Sequence, residues 1–314
     1  MHRNAKIYVA GHRGLVGSAL VRALDRQGYK QIITRSKAQL DLRDAQAVDR
    51  FFEQEKPDYV FLAAAKVGGI AANDAYPADF IRDNLMIQTH VIEAAYRHQV
   101  QKLLFLGSTC IYPKLAPQPL QEHYLLTGEL EATNEAYAIA KIAGIKMCQA
   151  YNRQYGTRFI SAMPTNLYGP NDDFDLQASH VLPALIRKID EAKELNTNVV
   201  EIWGSGAPRR EFLYVDDLAD ACIFLMRFYE ENDIINIGVG EDISIKDLAL
   251  LIGEVVGYAG QFSFNKERPD GTPRKLVNVS KLTALGWKAE TSLKAGIQAT
   301  YDWYRQHRAG AAAR

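Results

Sequence analysis

Ala5-Lys6-Ile7-Tyr8-Val9-Ala10-Gly11-His12-Arg13-Gly14-Leu15-Val16-Gly17 is the stretch that decides the fold. Its first six residues are a largely apolar run of strand length. From Gly14 to Gly28 the apolar positions Val16, Leu20, Val21 and Leu24 recur with a helical period. The strand therefore turns into a helix through the spacing G-x-x-G-x-x-G. Glycines permit the tight turn and let the main chain approach a pyrophosphate, and the helix start offers free N–H groups at its positive end. The bare pattern is weak evidence, but on a strand-turn-helix it specifies a dinucleotide site lined by Gly11, His12, Arg13, Gly14, Leu15, Val16 and Gly17.

Outward from this unit the alternation continues. Strands are expected at 31–34, 58–63, 102–107 and 158–163, with helices at 44–55, 79–99 and 134–155 between them. Repeated strand-helix-strand order predicts right-handed crossovers and an α/β fold: a Rossmann-type, doubly wound parallel sheet. After Pro164 the rhythm changes. Residues 169–179 are polar and read as a loop over a site. A helix at 180–194, strands at 199–203, 234–237 and 261–264, and helices near 216–230, 245–256 and 292–306 follow. The expected division is a cofactor domain at 1–164, with returning segments near 213–238, and a smaller C-terminal α/β substrate lobe at 165–314.

The 314 residues carry 37 Lys plus Arg against 37 Asp plus Glu, so no net charge draws the chain to nucleic acid or to an anionic membrane. No apolar run reaches the length of a membrane span. Three cysteines do not make a disulfide framework. Met1-His2-Arg3 runs straight into the strand pattern without an apolar leader. A cytoplasmic protein acting on a small molecule is expected, with no metal site.

Sites selective for NAD carry an acidic residue near the end of the second strand. Here that place reads Thr34-Arg35-Ser36-Lys37, with no carboxylate before Asp41. Arg13 and Arg35 would suit a 2′-phosphate, so NADP(H) is the expected cofactor. Asp41 and Leu42, a polar-apolar pair after the second strand, are expected to border the adenine pocket.

Tyr137-Ala138-Ile139-Ala140-Lys141 lies on a predicted helix, where residues four apart share a face. An ammonium beside a phenol should lower the phenol pKa and make it a general acid for a carbonyl oxygen receiving hydride. Ser108 ends the fourth strand, at the carboxyl edge where such sheets bind ligands, and its hydroxyl could hold the same oxygen. With the glycine loop, this Ser-Tyr-Lys set resembles the short-chain dehydrogenase/reductase superfamily, in particular its extended branch.

Further blocks are more specific. Gly107-Ser108-Thr109-Cys110-Ile111-Tyr112-Pro113-Lys114, Pro164-Thr165-Asn166-Leu167-Tyr168-Gly169-Pro170-Asn171-Asp172, Ser179-His180-Val181-Leu182-Pro183 and Lys66-Val67-Gly68-Gly69-Ile70-Ala71-Ala72-Asn73 look like the GDP-L-fucose synthase family, GDP-4-keto-6-deoxy-D-mannose 3,5-epimerase-4-reductases. The likeness covers about residues 5 to 306. It implies that Cys110 and His180 are the base and acid that invert C3 and C5, whose hydrogens the C4 ketone acidifies, and that Ser108, Tyr137 and Lys141 serve the reduction. It also implies cofactor contacts at Leu106, Gly107, Ser108, Thr109, Tyr137, Lys141, Pro164, Thr165, Asn166, Leu167 and His180. Contacts to the GDP-sugar substrate map onto Lys188, Trp203, Arg210 and Asn278, the last standing where many members have Asp. A homodimer through the two long helices follows by the same analogy. Cys148 and Cys222 lie on apolar helix faces and read as core.

Rival readings are a GDP-colitose synthase-like enzyme acting on a 3-deoxy sugar and a non-catalytic NADP-binding sensor. A UDP-hexose 4-epimerase would not need the Cys110 and His180 blocks. A 4,6-dehydratase would carry an Asp-Glu pair where Cys110-Ile111 stands.

Overall fold

The computed structural model describes residues 1–176, 179–267 and 270–311, with the backbone alone at Ile70, Ala71 and 309–311. The first half runs β1 (Lys6–Ala10), α1 (Leu15–Arg26), β2 (Gln31–Ile33), α2 (Ala45–Glu55), β3 (Tyr59–Leu62), α3 (Ile70–Ala75), α4 (Pro77–Arg97), β4 (Lys102–Leu106), α5 (Glu135–Tyr155) and β5 (Phe159–Pro164). The second half runs β6 (Asn166–Tyr168), α6 (Val181–Glu194), β7 (Val199–Trp203), β8 (Arg209–Arg210), β9 (Phe212–Tyr214), α7 (Val215–Phe228), β10 (Ile235–Ile237), β11 (Ile243–Ser244), α8 (Ile245–Val256), β12 (Gln261–Asn265), β13 (Arg274–Lys275), α9 (Ser280–Ala284) and α10 (Leu293–Ala311).

Six of these strands form one parallel sheet in the order β2-β1-β3-β4-β5-β10. Its inner strands are apolar on both faces, as a sheet covered on both sides requires. Leu20, Leu24, Leu218 and Ile223 of α1 and α7 cover one face. Phe51, Phe52, Val91, Ile142 and Ile145 of α2, α4 and α5 cover the other. Lys102 is the polar exception inside β4, and its Nζ donates to the carbonyls of Leu225 and Tyr229 at the end of α7. Strand order reverses between β1 and β3, so the crevice at their carboxyl ends is the ligand position of this architecture. A separate core lies in the second half of the chain, where Leu182, Ile186, Ile202, Leu248 and Ile297 gather α6, α8 and α10 over the β7–β12 pair.

Three departures from the sequence reading have physical causes. The long helix starts at Pro77 rather than 79, because proline's fixed φ suits the first helical position. The Lys66–Asn73 block, read without structure of its own, runs into the short helix α3, which ends at Ala75. Beyond 213–238, a later segment also returns to the sheet: Val277 joins one covering layer, Leu282 and Trp287 the other.

Candidate active site

The glycine turn sits where β1 meets α1. Gly11 has φ +84°, and a Cβ there would lie 2.8 Å from the Ala64 main chain. At Gly17 a Cβ would lie 2.1 Å from the Gly11 carbonyl oxygen, so this glycine allows helix and loop to touch. Gly14 is different: a Cβ would meet only that same oxygen, at 3.6 Å. It starts α1 with no side-chain cap and no acidic residue in the first turn. Open main chain and uncapped N–H groups fit a dinucleotide's phosphates.

Around this turn the two arginines differ. Arg13 is exposed. Arg35 donates to the Thr34 carbonyl at 2.8 Å, pairs with Glu55 and lies 5.5 Å from the Phe51 ring centroid. His12 has its pKa pulled down by burial and then by the Arg13 charge. Asp41, expected beside the adenine, forms a fork with Arg43 and is held down at about 2 by that hydrogen bonding. Leu42 is buried beside it.

Ser108 leaves β4 in an extended conformation and caps the short turn Thr109–Ile111. Its Oγ accepts from the Cys110 N–H at 3.3 Å and lies close enough to the Tyr137 phenol to act on its pKa. The Cys110 side chain is also near enough to act on Tyr137 electrostatically. Hydroxyl, thiol and phenol therefore meet at the carboxyl edge of the sheet. Tyr137 is half-buried, with its ring edge-on to Phe80 at 6.4 Å. Lys141 is buried and donates to the Leu106 carbonyl at 2.7 Å, 4.9 Å from the Phe105 ring centroid.

The expected lowering of the phenol pKa is corrected here. Burial pushes Tyr137 well above the usual range for tyrosine, and burial pushes Lys141 down to about 8. Proximity alone suggested an ammonium holding a phenolate. The structure instead directs the lysine Nζ to a carbonyl, buries the lysine and takes much of the phenol out of water, which disfavours either charge.

Cys110 is half-buried and borders a cleft shared with Thr109, Glu131, Arg274 and Lys275. Cys148 and Cys222 are fully enclosed, as expected. His180 caps α6 without a side-chain hydrogen bond to the helix. His180 is exposed as a residue. Burial and the Lys275 charge pull its pKa down while Asp173 opposes them. Lys275 is thus the common neighbour of the cleft at Cys110 and of His180. Sequence reading missed it, because only the parallel pairing of β13 with β8 brings it there. Also missed was Asn134, whose Nδ2 stands 3.4 Å from the Cys110 Sγ.

The remaining expected positions separate. Thr165 and Asn166 both donate from their side chains to the Glu211 carbonyl, at 3.4 and 2.8 Å. Pro164 ends β5 and Leu167 lies in β6, which pairs with β9. Arg210 is partly enclosed, donates to the Arg209 carbonyl at 2.8 Å and has its pKa lowered by burial. Trp203 ends β7 with its side chain 57% exposed, and Lys188 is half-buried on α6. The Asn278 Oδ1 accepts from the Ser280 N–H at 2.9 Å and from the Ser280 hydroxyl, at the start of α9. Among the described residues no His, Cys, Asp or Glu group is arranged to hold a metal, and no helix is long and apolar enough to cross a membrane.

The model of the NAD dependent epimerase/dehydratase family matches residues 7–238. The chain is 60% identical to GDP-L-fucose synthase 1 of Arabidopsis thaliana over 302 residues, covering 96% of this chain and 94% of that protein. It is 53% identical to GDP-L-fucose synthase of Escherichia coli, covering 96% and 97% of the two chains. Its structure superposes on that of a GDP-L-fucose synthetase from Naegleria fowleri bound to NADP with a TM-score of 0.92, at 29% identity, covering 99% and 97% of the chains. The chain belongs to the NAD dependent epimerase/dehydratase family, among its GDP-L-fucose synthases.

Proposed function

We propose that the protein converts GDP-4-keto-6-deoxy-D-mannose to GDP-L-fucose, inverting C3 and C5 and reducing C4 with NADPH. The observation that carries this reading is the meeting of Ser108, Cys110 and Tyr137 at one sheet edge, with Cys110 bordering a cleft. Ser108 and Tyr137 hold the C4 carbonyl oxygen. Their hydrogen bonds favour the enolate formed when a proton leaves C3 or C5. Cys110 takes that proton on one face of the ring and His180 returns one on the other, and exchange with water resets both. A raised phenol pKa keeps Tyr137 protonated until O4 gains charge, when it gives its proton to that oxygen. Lys141, lowered to about 8 and anchored on Leu106, sits beside that phenol ready to ease the transfer. Bound NADPH supplies the hydride to C4.

The Gly11–Gly17 turn holds the pyrophosphate, with Leu106, Gly107, Thr109 and Pro164 to Leu167 along the nicotinamide half. Arg13 and Arg35 favour NADP over NAD, and for Arg35 the 2′-phosphate replaces Glu55. Residues 1–164 with the returning strands form the cofactor part, and the lobe from 165 binds the sugar nucleotide through Lys188, Trp203 and Arg210. Asn278 contributes by holding the start of α9. A homodimer through α4 and α5, working in the cytoplasm, completes the reading.

The test is oxidation of NADPH by the purified protein with GDP-4-keto-6-deoxy-D-mannose, and identification of the product. GDP-L-fucose is expected. Faster turnover of the 3-deoxy analogue would move the assignment to the colitose branch. No oxidation by folded, NADPH-binding protein would leave a sensor.

A further inference from the structure

We infer that Asn134 is a positioning residue for Cys110, donating from its side-chain amide to the sulfur and so favouring the thiolate. This inference rests on the proton-transfer role proposed above for Cys110. Asn134 occupies the N-cap of α5, where an asparagine normally accepts from a main-chain N–H of the first turn. Here the side chain makes no such bond. It turns instead to Cys110, with Nδ2 at 3.4 Å from Sγ, within reach of a hydrogen bond to sulfur. The turn also leaves the amide oxygen enclosed and without a partner. Giving up a helix cap and leaving a buried acceptor unpaired both cost stability. An arrangement unfavourable on two counts is expected where a site requires it.

The neighbourhood fixes the amide from the other side. The Asn134 main-chain N–H donates to the Glu131 carbonyl at 3.1 Å, and the Glu131 carboxylate pairs with Lys114 at 3.0 Å. Asn134, Tyr137 and Lys141 are spaced three and four apart, so they lie along one face of the chain as it enters and follows α5. One helix thereby carries the amide for the sulfur, the acid for the ketone and the lysine beside it. A donor aimed at sulfur stabilises the deprotonated form, which is the form that accepts a proton from carbon.

The experiment is alkylation of the folded protein with iodoacetamide across pH, read by mass at Cys110. Cys148 and Cys222 are fully buried, so Cys110 is the thiol the reagent reaches. Asn134→Asp keeps the size and restores a helix cap but faces the sulfur with a carboxylate. Asn134→Ala removes the amide. The expected midpoint of alkylation moves up by about one pH unit in Asn134→Asp, roughly tenfold slower reaction near neutrality, and by about half a unit in Asn134→Ala. Solvent-deuterium exchange at C3 and C5 of the keto-sugar falls in step, while NADPH affinity holds. Wild-type alkylation profiles in both variants, or faster alkylation in either, would overturn the inference. If the unmodified enzyme exchanges no deuterium at all, the proposed function fails, and the alkylation profiles still judge Asn134 by themselves.

Discussion

Gly17→Ala tests the reading of the opening stretch. The added Cβ would stand 2.1 Å from the Gly11 carbonyl oxygen, 2.5 Å from its carbon and 2.7 Å from the His12 Cα. All three are main-chain atoms, so no rotamer change relieves them. Reaching even a tight contact of about 3 Å moves helix and loop apart by roughly 0.9 Å. Forced overpacking of this kind costs about 1–3 kcal/mol, and backbone obstacles put this site at the upper end. The melting temperature should fall by about 5 °C. The displaced atoms are also those proposed to hold the phosphates, and an error near 1 Å in a positioning contact costs up to about a hundredfold. NADPH affinity should therefore drop at least about tenfold. Gly14→Ala is the control. Its Cβ would meet only the 3.6 Å contact, and its φ of −77° suits any residue. That variant should lose under about 1 kcal/mol of stability yet still weaken NADPH, because the methyl is added to the turn proposed to hold the phosphates. Calorimetry and fluorescence titration read both quantities. Wild-type melting and wild-type affinity in Gly17→Ala would refute the reasoning.

Three other expectations follow from the same structure. Tyr137→Phe should bind NADPH normally and reduce the keto-sugar at least about a hundredfold more slowly; unchanged steady-state turnover would exclude Tyr137 as the acid. Glu211→Gln should lose about 3 kcal/mol in denaturant titration, because this buried carboxylate accepts from the N–H groups of Val239, Gly240 and Val277, and a loss under about 0.5 kcal/mol would contradict that role. Asp172 is buried, has one oxygen without a partner, and is pushed up to about 8 by burial. Its raised pKa makes stability complete below the unfolded value near 4 and lost as pH climbs towards 8, by up to about 1.4 kcal/mol per unit. Asn in its place should flatten that slope between about pH 5 and 8, and parallel slopes for the two proteins would show that Asp172 is not its source.

The parallel sheet was legible because its strands are short apolar runs that speak for themselves, and the glycine turn because its spacing has one mechanical purpose. The placement of Ser108, Tyr137 and Lys141 was legible for related reasons, one just past a strand end and two on one helix face. The Tyr137 pKa was misread, because adjacency to Lys141 says nothing about desolvation or about the Leu106 carbonyl that takes the lysine's hydrogen bond. Lys275 was invisible, since its nearness to the cleft depends on β13 pairing with β8 across more than sixty residues of chain. Asn134 stood in plain view beside the Tyr-Lys pair, yet a residue at a helix start reads as a cap until its side chain is seen turned to sulfur. The α3 helix and the β6–β9 pair are too short to carry a periodic signal and form because neighbouring chain segments accommodate them.

The most direct test of the account is the position of deuterium in product made in heavy water by the unmodified enzyme, by Cys110→Ser and by His180→Gln, with NADPH as reductant. Label at C3 and C5 is expected from the unmodified enzyme. Cys110→Ser should yield slow reduction with almost no label at either carbon, and His180→Gln should incorporate label without completing the inversions. Full labelling at C3 and C5 by Cys110→Ser would mean that the proton transfers and the ketone reduction do not share this pocket.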